Sequence, residues 1–220
     1  MNLARPTRGC ADGRGVYVTL CGPDGAGKTS LSAQLAAWAD LHFNGVVRLH
    51  WRPGVLPRLG ALASREDPDP SRPHQASPSG LALSVVRLLY YWLDQLLGYG
   101  ATIARRRMAG ALVLLERGYW DMAVDPRRYR IQTPGSLVYI LGRLLPQPDL
   151  TVVLVAEPHV LARRKDELPE QEIGRQLAAW RQLAGRRGWA TVSVAQPLEQ
   201  VARDLQQLIL SVRADGHGAA

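Results

Sequence analysis

The eight residues Gly22-Pro23-Asp24-Gly25-Ala26-Gly27-Lys28-Thr29 satisfy the spacing G-x-x-x-x-G-K-S/T, a pattern whose chemistry is phosphate binding. It places glycine where the backbone must take positive φ and come close to an anion, so that successive amides point into one concavity. The lysine carries a compact ammonium to the β- and γ-phosphates of a nucleoside triphosphate, and the hydroxyl after it is a ligand for magnesium. The expected cofactors are therefore ATP and Mg2+. Gly22, Asp24, Gly25, Ala26, Gly27, Lys28, Thr29 and Ser30 form the nucleotide-binding set, with Lys28 also catalytic and Thr29 on the metal.

These residues need a strand before them and a helix after them. Val16 to Cys21 is a short β-rich apolar run that ends at Gly22, and Lys28 to Asp40 carries Leu31, Leu35 and Trp38 at helical spacing. That order aims the positive end of the helix at the phosphates. Further strands are expected at 45–51, 110–116, 150–155 and 190–195. Helices are expected at 81–107, 134–145, from His159, at 170–184 and at 197–212. Strands alternating with helices predict an α/β fold, a three-layer doubly wound parallel sheet of about five strands. A chain of 220 residues suits one core. The single domain should run from 16 to 212, between a flexible N-terminus at 1–15 and a flexible tail at 213–220. A proline-rich insertion at 55–80 interrupts it, with prolines at 57, 68, 70, 73 and 78 and too little apolar surface to fold alone.

Other candidate residues follow from this frame. The run 111–115 is apolar throughout, as in a central parallel strand covered on both faces, and it ends in Glu116-Arg117. A carboxylate and an arginine at that carboxyl end fall where open α/β sheets bind ligands. In the long helix, Val85, Leu88, Leu89, Trp92, Leu96, Tyr99 and Ile103 predict a buried stripe. Arg87, Tyr91 and Asp94 share another stripe, which is either one wall of a ligand cleft or a solvated face. Of 27 basic residues only Lys28 and Lys165 are lysine. A phosphate loop has a reason to prefer the compact ammonium, so Lys165 is a candidate by association or else a solvated helix residue.

Composition narrows the class. Met1 to Gly15 has no apolar core of a signal peptide, and Leu81 to Leu97 is broken by Arg87 and Asp94, which argues against a membrane span and for the cytoplasm. Cys10 and Cys21 have neither metal-ligand spacing nor disulfide density. The net charge of +8 is scattered and comes without an aromatic-rich RNA-binding signature, so an anionic small substrate accounts for it better than nucleic acid.

With these elements in place, the span from Val16 to Val212 resembles the thymidylate kinase family of nucleoside monophosphate kinases. The phosphate loop is similar to that family's loop, and Glu116-Arg117-Gly118 stands where the family has Asp-Arg-Tyr or a near variant. Arg163-Arg164-Lys165-Asp166-Glu167-Leu168, with Arg175-Gln176 behind, resembles its lid, here 157–170. The resemblance implies that Glu116 acts near magnesium and Arg117 on the acceptor or transferred phosphate. It also implies that Arg163 and Arg164 act on developing phosphoryl charge, and it leaves a homodimer open. The acceptor side departs from the pattern. Trp51-Arg52-Pro53-Gly54 replaces Arg-Glu-Pro-Gly, so Arg52 alone could supply the phosphate-holding arginine, one place on. Asp125-Pro126 stands in place of the base-side Tyr-Gln, and Tyr119 to Arg130 is also similar to thymidylate kinase-like proteins of glycan synthesis.

The expected activity is ATP- and magnesium-dependent phosphoryl transfer to a small phosphorylated acceptor, a nucleoside monophosphate first. Arg52, Arg87, Tyr91, Asp121 and Asp125 are the acceptor candidates, with Asp121 or Asp125 expected to bind hydroxyl groups of the acceptor. The alternatives are a kinase of a sugar or glycan precursor and an ATP-binding switch.

Overall fold

The computed structural model describes residues 14–57, 80–164 and 168–215. The expected flexible N-terminus up to residue 13, most of the proline-rich insertion, Lys165 and the tail from residue 216 lie outside the described residues. Five strands form one parallel sheet, β1 (Tyr17–Cys21), β2 (Val46–His50), β3 (Leu112–Glu116), β4 (Leu150–Val155) and β5 (Ala190–Ser193), in the order β2-β3-β1-β4-β5. The expected α/β sheet is present.

Alternation along the strands creates two buried faces. Val18 and Leu20 of β1 and Leu112 and Leu114 of β3 join the main core with Leu31 and Leu35 of α1 (Lys28–Ala39). Tyr17, Val113 and Leu115 point the other way and meet Ile103 and Tyr99. Those two residues belong to a long helix composed of α2 (Leu81–Gly98), a π-helical turn (Tyr99–Ala104) and a last turn (Arg105–Met108). Then come α3 (Asp121–Val124), α4 (Gly135–Leu144), α5 (Pro158–Arg164), α6 (Glu170–Arg187) and α7 (Leu198–Asp215), which packs on α1.

The buried stripe of α2 is narrower than its spacing predicts. Ser84, Leu88, Gln95 and Gly98 are buried, whereas Leu89 is 45% exposed. Leu89 instead shares an exposed apolar stripe with Val86, Leu93 and Leu97. After Gly98 the π-helical turn inserts a wider step, and Ile103, five residues on, is buried again.

The polar stripe has a structural use. Asp94, fully buried, accepts hydrogen bonds from the backbone N–H of Gly54 at 3.2 Å and of Leu56 at 2.6 Å. Gln95 donates to the Trp51 carbonyl at 2.9 Å. Pro53 packs against Gly98 so closely that a Cβ there would lie 2.1 Å from the ring. The chain leaving β2 is therefore clamped onto α2.

Candidate active site

The register of the sheet assembles the site. Leu20 of β1 is paired with Glu116 of β3, and β2 runs beside β3 with His50 opposite Glu116. The carboxyl ends of three strands thus open at one place. Gly22, Gly25 and Gly27 take φ of 139°, 80° and 76°. At Gly22 space as well as conformation requires glycine, since a Cβ would lie 2.7 Å from the Leu154 carbonyl oxygen. Left-handed Gly27 caps α1, and having no side chain it leaves the first-turn amides without a side-chain cap among the described residues. Ser30 is exposed on that turn and Ala26, within the loop, is buried.

Lys28 is 7% exposed, and its Nζ donates to the carbonyl oxygens of Gly22 and Pro23, each at 2.7 Å. The ammonium is held inside the loop curve by neutral acceptors. Burial, followed by the Arg117 guanidinium, pushes its pKa down to about 8, against the opposing pull of Asp24 and Asp121.

The other wall is Glu116. Thr29 donates its hydroxyl to Oε2 at 2.7 Å, and Arg48 Nη2 donates to Oε1 at 3.0 Å while its Nε donates to Ser32 Oγ at 2.8 Å. His50 Nδ1 lies 3.6 Å from Oε2. Burial acts to raise the carboxyl, but hydrogen bonds from Thr29, Ser32 and Arg48 outweigh it and keep Glu116 below the ordinary carboxylate range. The two residues expected at the metal are therefore in contact.

Asp24 holds two arginines. Arg117 Nη2 donates to its Oδ1, and Arg128 Nη1 donates to its Oδ2 at 2.6 Å. Burial works against ionisation, but Arg117, Lys28 and Arg128 together hold the carboxyl well below its usual range. Arg117 has φ of 65°, a strained setting for a side-chain-bearing residue. Its backbone N–H is fixed on the Leu20 carbonyl at 2.9 Å. Its Nε is buried with no hydrogen-bond partner among the described residues. Asp121, also buried, accepts from the Gly118 N–H at 2.9 Å and lies 3.9 Å from Arg117 Nη1, so it shapes the turn that presents Arg117. Desolvation raises its pKa.

The remaining acceptor candidates are brought together only in part. Arg52 points back onto its own loop, 3.5 Å from Asp94 and 3.3 Å from the Leu56 carbonyl. Arg87 donates to the Arg130 carbonyl at 3.4 Å. Tyr91 meets Trp51 edge-on, with ring centroids 4.9 Å apart, and Trp51 stacks on Tyr129 at 5.2 Å. The Tyr129 hydroxyl is buried and unpartnered among the described residues. Buried Asp125 accepts from the Arg128 N–H at 3.3 Å. In α5, within the expected lid, Arg164 donates to the Val194 carbonyl at 3.0 Å and Arg163 is exposed. Among the described residues neither is bonded to the phosphate loop. Arg175, behind them, donates to the Val124 carbonyl at 2.9 Å and pairs with Glu172.

Sequence reasoning overlooked Arg48 and Arg128. The first had a signal, a charged residue inside the apolar strand Val46-Val47-Arg48-Leu49. The second was one of a basic run at 127–130 with nothing to single it out. Trp51 has φ of 66° and Arg130 φ of 55°, so with Arg117 the non-glycine residues of positive φ among the described residues gather on this side of the sheet.

No family model matches the chain, and no curated protein matches it in sequence. Among solved structures it is similar to the thymidylate kinase from Ehrlichia chaffeensis, with a TM-score of 0.61 and 17% identity over 89% of this chain and 99% of that one. At this identity the likeness concerns architecture, and by architecture the chain has the thymidylate kinase fold.

Proposed function

We propose that the protein is an ATP- and magnesium-dependent kinase that transfers a phosphoryl group to a small phosphorylated acceptor, with a nucleoside monophosphate as the first candidate. One observation carries the reading. Lys28, the uncapped first turn of α1 and the Thr29–Glu116 pair converge on one loop of left-handed glycines.

The residues fit the ligands. Lys28 already satisfies carbonyl oxygens that an anion can replace, and a hydroxyl beside a carboxylate is an oxygen donor set suited to magnesium. Gly22 to Ser30 would hold the phosphates, and Thr29 with Glu116 would hold the metal. Bound ATP supplies the transferable phosphoryl group, and Mg2+ neutralises its charge. Everything else is positioning and electrostatics. Lys28 would hold an ammonium where phosphate charge accumulates, and Arg117, whose Nε has no partner among the described residues, would add its charge while Asp24 fixes its other end. Glu116 orients Thr29, and Arg48 orients Glu116. Arg163 and Arg164 would act from the lid, on closing.

A non-nucleotide acceptor such as a phosphorylated sugar is the second reading, and the environment of Arg52 favours it. That guanidinium is occupied by Asp94 and by the Leu56 and Pro57 carbonyls. The experiment is a screen of nucleoside monophosphates and phosphorylated sugars with purified protein and ATP, measuring ADP and phosphorylated product. We expect acceptor-stimulated ADP formation, with thymidylate used at low efficiency. Efficient thymidylate phosphorylation that Asp125→Ala leaves unchanged would overturn the divergent-acceptor reading. Hydrolysis without any phosphorylated product would instead support an ATP-binding switch.

A further inference from the structure

A hollow of about 500 Å³ lies at the other end of the sheet. Its walls are the last turns of α4 and α6 and the starts of β4 and β5. The phosphate loop follows the end of β1, and β4 runs parallel to β1. At about 3.3 Å per residue the two places are separated by roughly the length of a strand, on the order of 15–20 Å.

The hollow is basic. Arg143 comes from α4, and Arg186 and Arg187 come from α6. Asp149, the acidic residue of the lining, is already committed on both oxygens, to Arg107 and to the Tyr17 N–H at 2.8 Å. Arg187 is held between rings, its guanidinium 4.9 Å from Trp120 and 5.7 Å from Trp189, and it donates to Gln147 at 2.5 Å. Arg143 and Arg186 are exposed and pair with nothing among the described residues.

An arginine in the last turn of a helix is favourable by itself, which accounts for each one but not for two helix ends converging on one hollow. Tyr139 and Trp189 add aromatic surface to the same lining. Guanidinium forks match phosphate geometry, an aromatic ring gives a base a stacking surface, and the volume suits a small molecule. We propose that this hollow is a second binding site, which takes a nucleoside phosphate with its phosphates on Arg143 and Arg186 and its base against Trp189 and Tyr139. The proposal is independent of the phosphate loop's own function.

The test is calorimetric titration of ADP into the full chain, the Lys28→Ala variant and the Arg143→Ala/Arg186→Ala double variant. Both arginines are exposed, so thermal unfolding of the double variant should match that of the parent. We expect two classes of site. Lys28→Ala removes one, and the double variant weakens the other by at least about tenfold, the loss of one charged contact of about 1.4 kcal/mol. Binding by Lys28→Ala that the double variant leaves unchanged, or a single class lost with Lys28, overturns the proposal. Titrating inorganic pyrophosphate into Lys28→Ala separates a nucleotide site from a plain anion site, since equal affinity for pyrophosphate and ADP refutes the base contact. If only the arginine-dependent class is found, this proposal stands and the kinase reading fails.

Discussion

Replacing Asp24 with asparagine should expose how much of the site is held by one carboxylate. The side chain is 7% exposed and carries both Arg117 and Arg128. Asparagine keeps the shape and one acceptor oxygen but removes the charge, leaving two guanidinium groups partly uncompensated. Removing one partner of a buried pair costs about 3–5 kcal/mol, and the retained acceptor places this variant near the lower end, at about 3 kcal/mol. For a domain of this size that is a fall in Tm of roughly 6–12 °C.

The pH dependence sharpens the test. The folded carboxyl binds its proton more weakly than the unfolded one, because Arg117, Lys28 and Arg128 outweigh burial. The stabilisation is therefore present in full above about pH 4, the unfolded value, and is lost as the pH falls toward the lower folded value. Urea unfolding of both proteins from pH 7 to pH 2.5 should show a gap that narrows below about pH 4 by about 1.4 kcal/mol per unit. A gap under about 1 kcal/mol at pH 7, below the range for a broken buried pair, would refute the reasoning. So would a gap that does not change with pH.

The remaining predictions concern the loop and the metal corner. Burial, with Arg117, pushes the Lys28 pKa down to about 8 in the free protein, and bound phosphates favour the ammonium. ATP binding above pH 8 should therefore take up a proton and weaken as the pH rises. Calorimetry in two buffers of different ionisation enthalpy reads the proton count, and a value of zero at pH 8.5 contradicts the assigned environment. Glu116→Gln should raise the Mg2+ needed for half-maximal turnover by about 10–100-fold, the usual cost of losing a group that supports a metal. An unaltered requirement, measured by titrating Mg2+ at saturating ATP, would place the metal elsewhere.

What could be read in the chain was local. The phosphate loop is one run of eight residues, and Glu116-Arg117 was found because β3 is apolar up to that point. Arg48 and Arg128 escaped because their partners lie 68 and 104 residues away, and pairing at such distances depends on the order of strands and loops in space. Spacing along a helix places Asp94 beside Arg87 and Tyr91, but it does not reveal that a loop 38–40 residues earlier offers Asp94 two backbone N–H groups, which makes it neither a cleft wall nor a solvated residue. Leu89 was misplaced because a stripe read at three and four is wider than the face that packs. The π-helical turn after Gly98 then resets the register without any proline to announce it.

The central claim is that Lys28 holds the donor phosphates of a phosphoryl-transfer site. The measurement closest to it is formation of phosphorylated product from γ-labelled ATP and the best acceptor of the screen, compared between the parent protein and Lys28→Ala. The side chain projects into the loop and not into the apolar core, so the variant should keep its circular dichroism spectrum and cooperative unfolding while label transfer falls by at least about a hundredfold, or about 2.7 kcal/mol. Transfer at the parental rate by a folded Lys28→Ala protein would contradict the account.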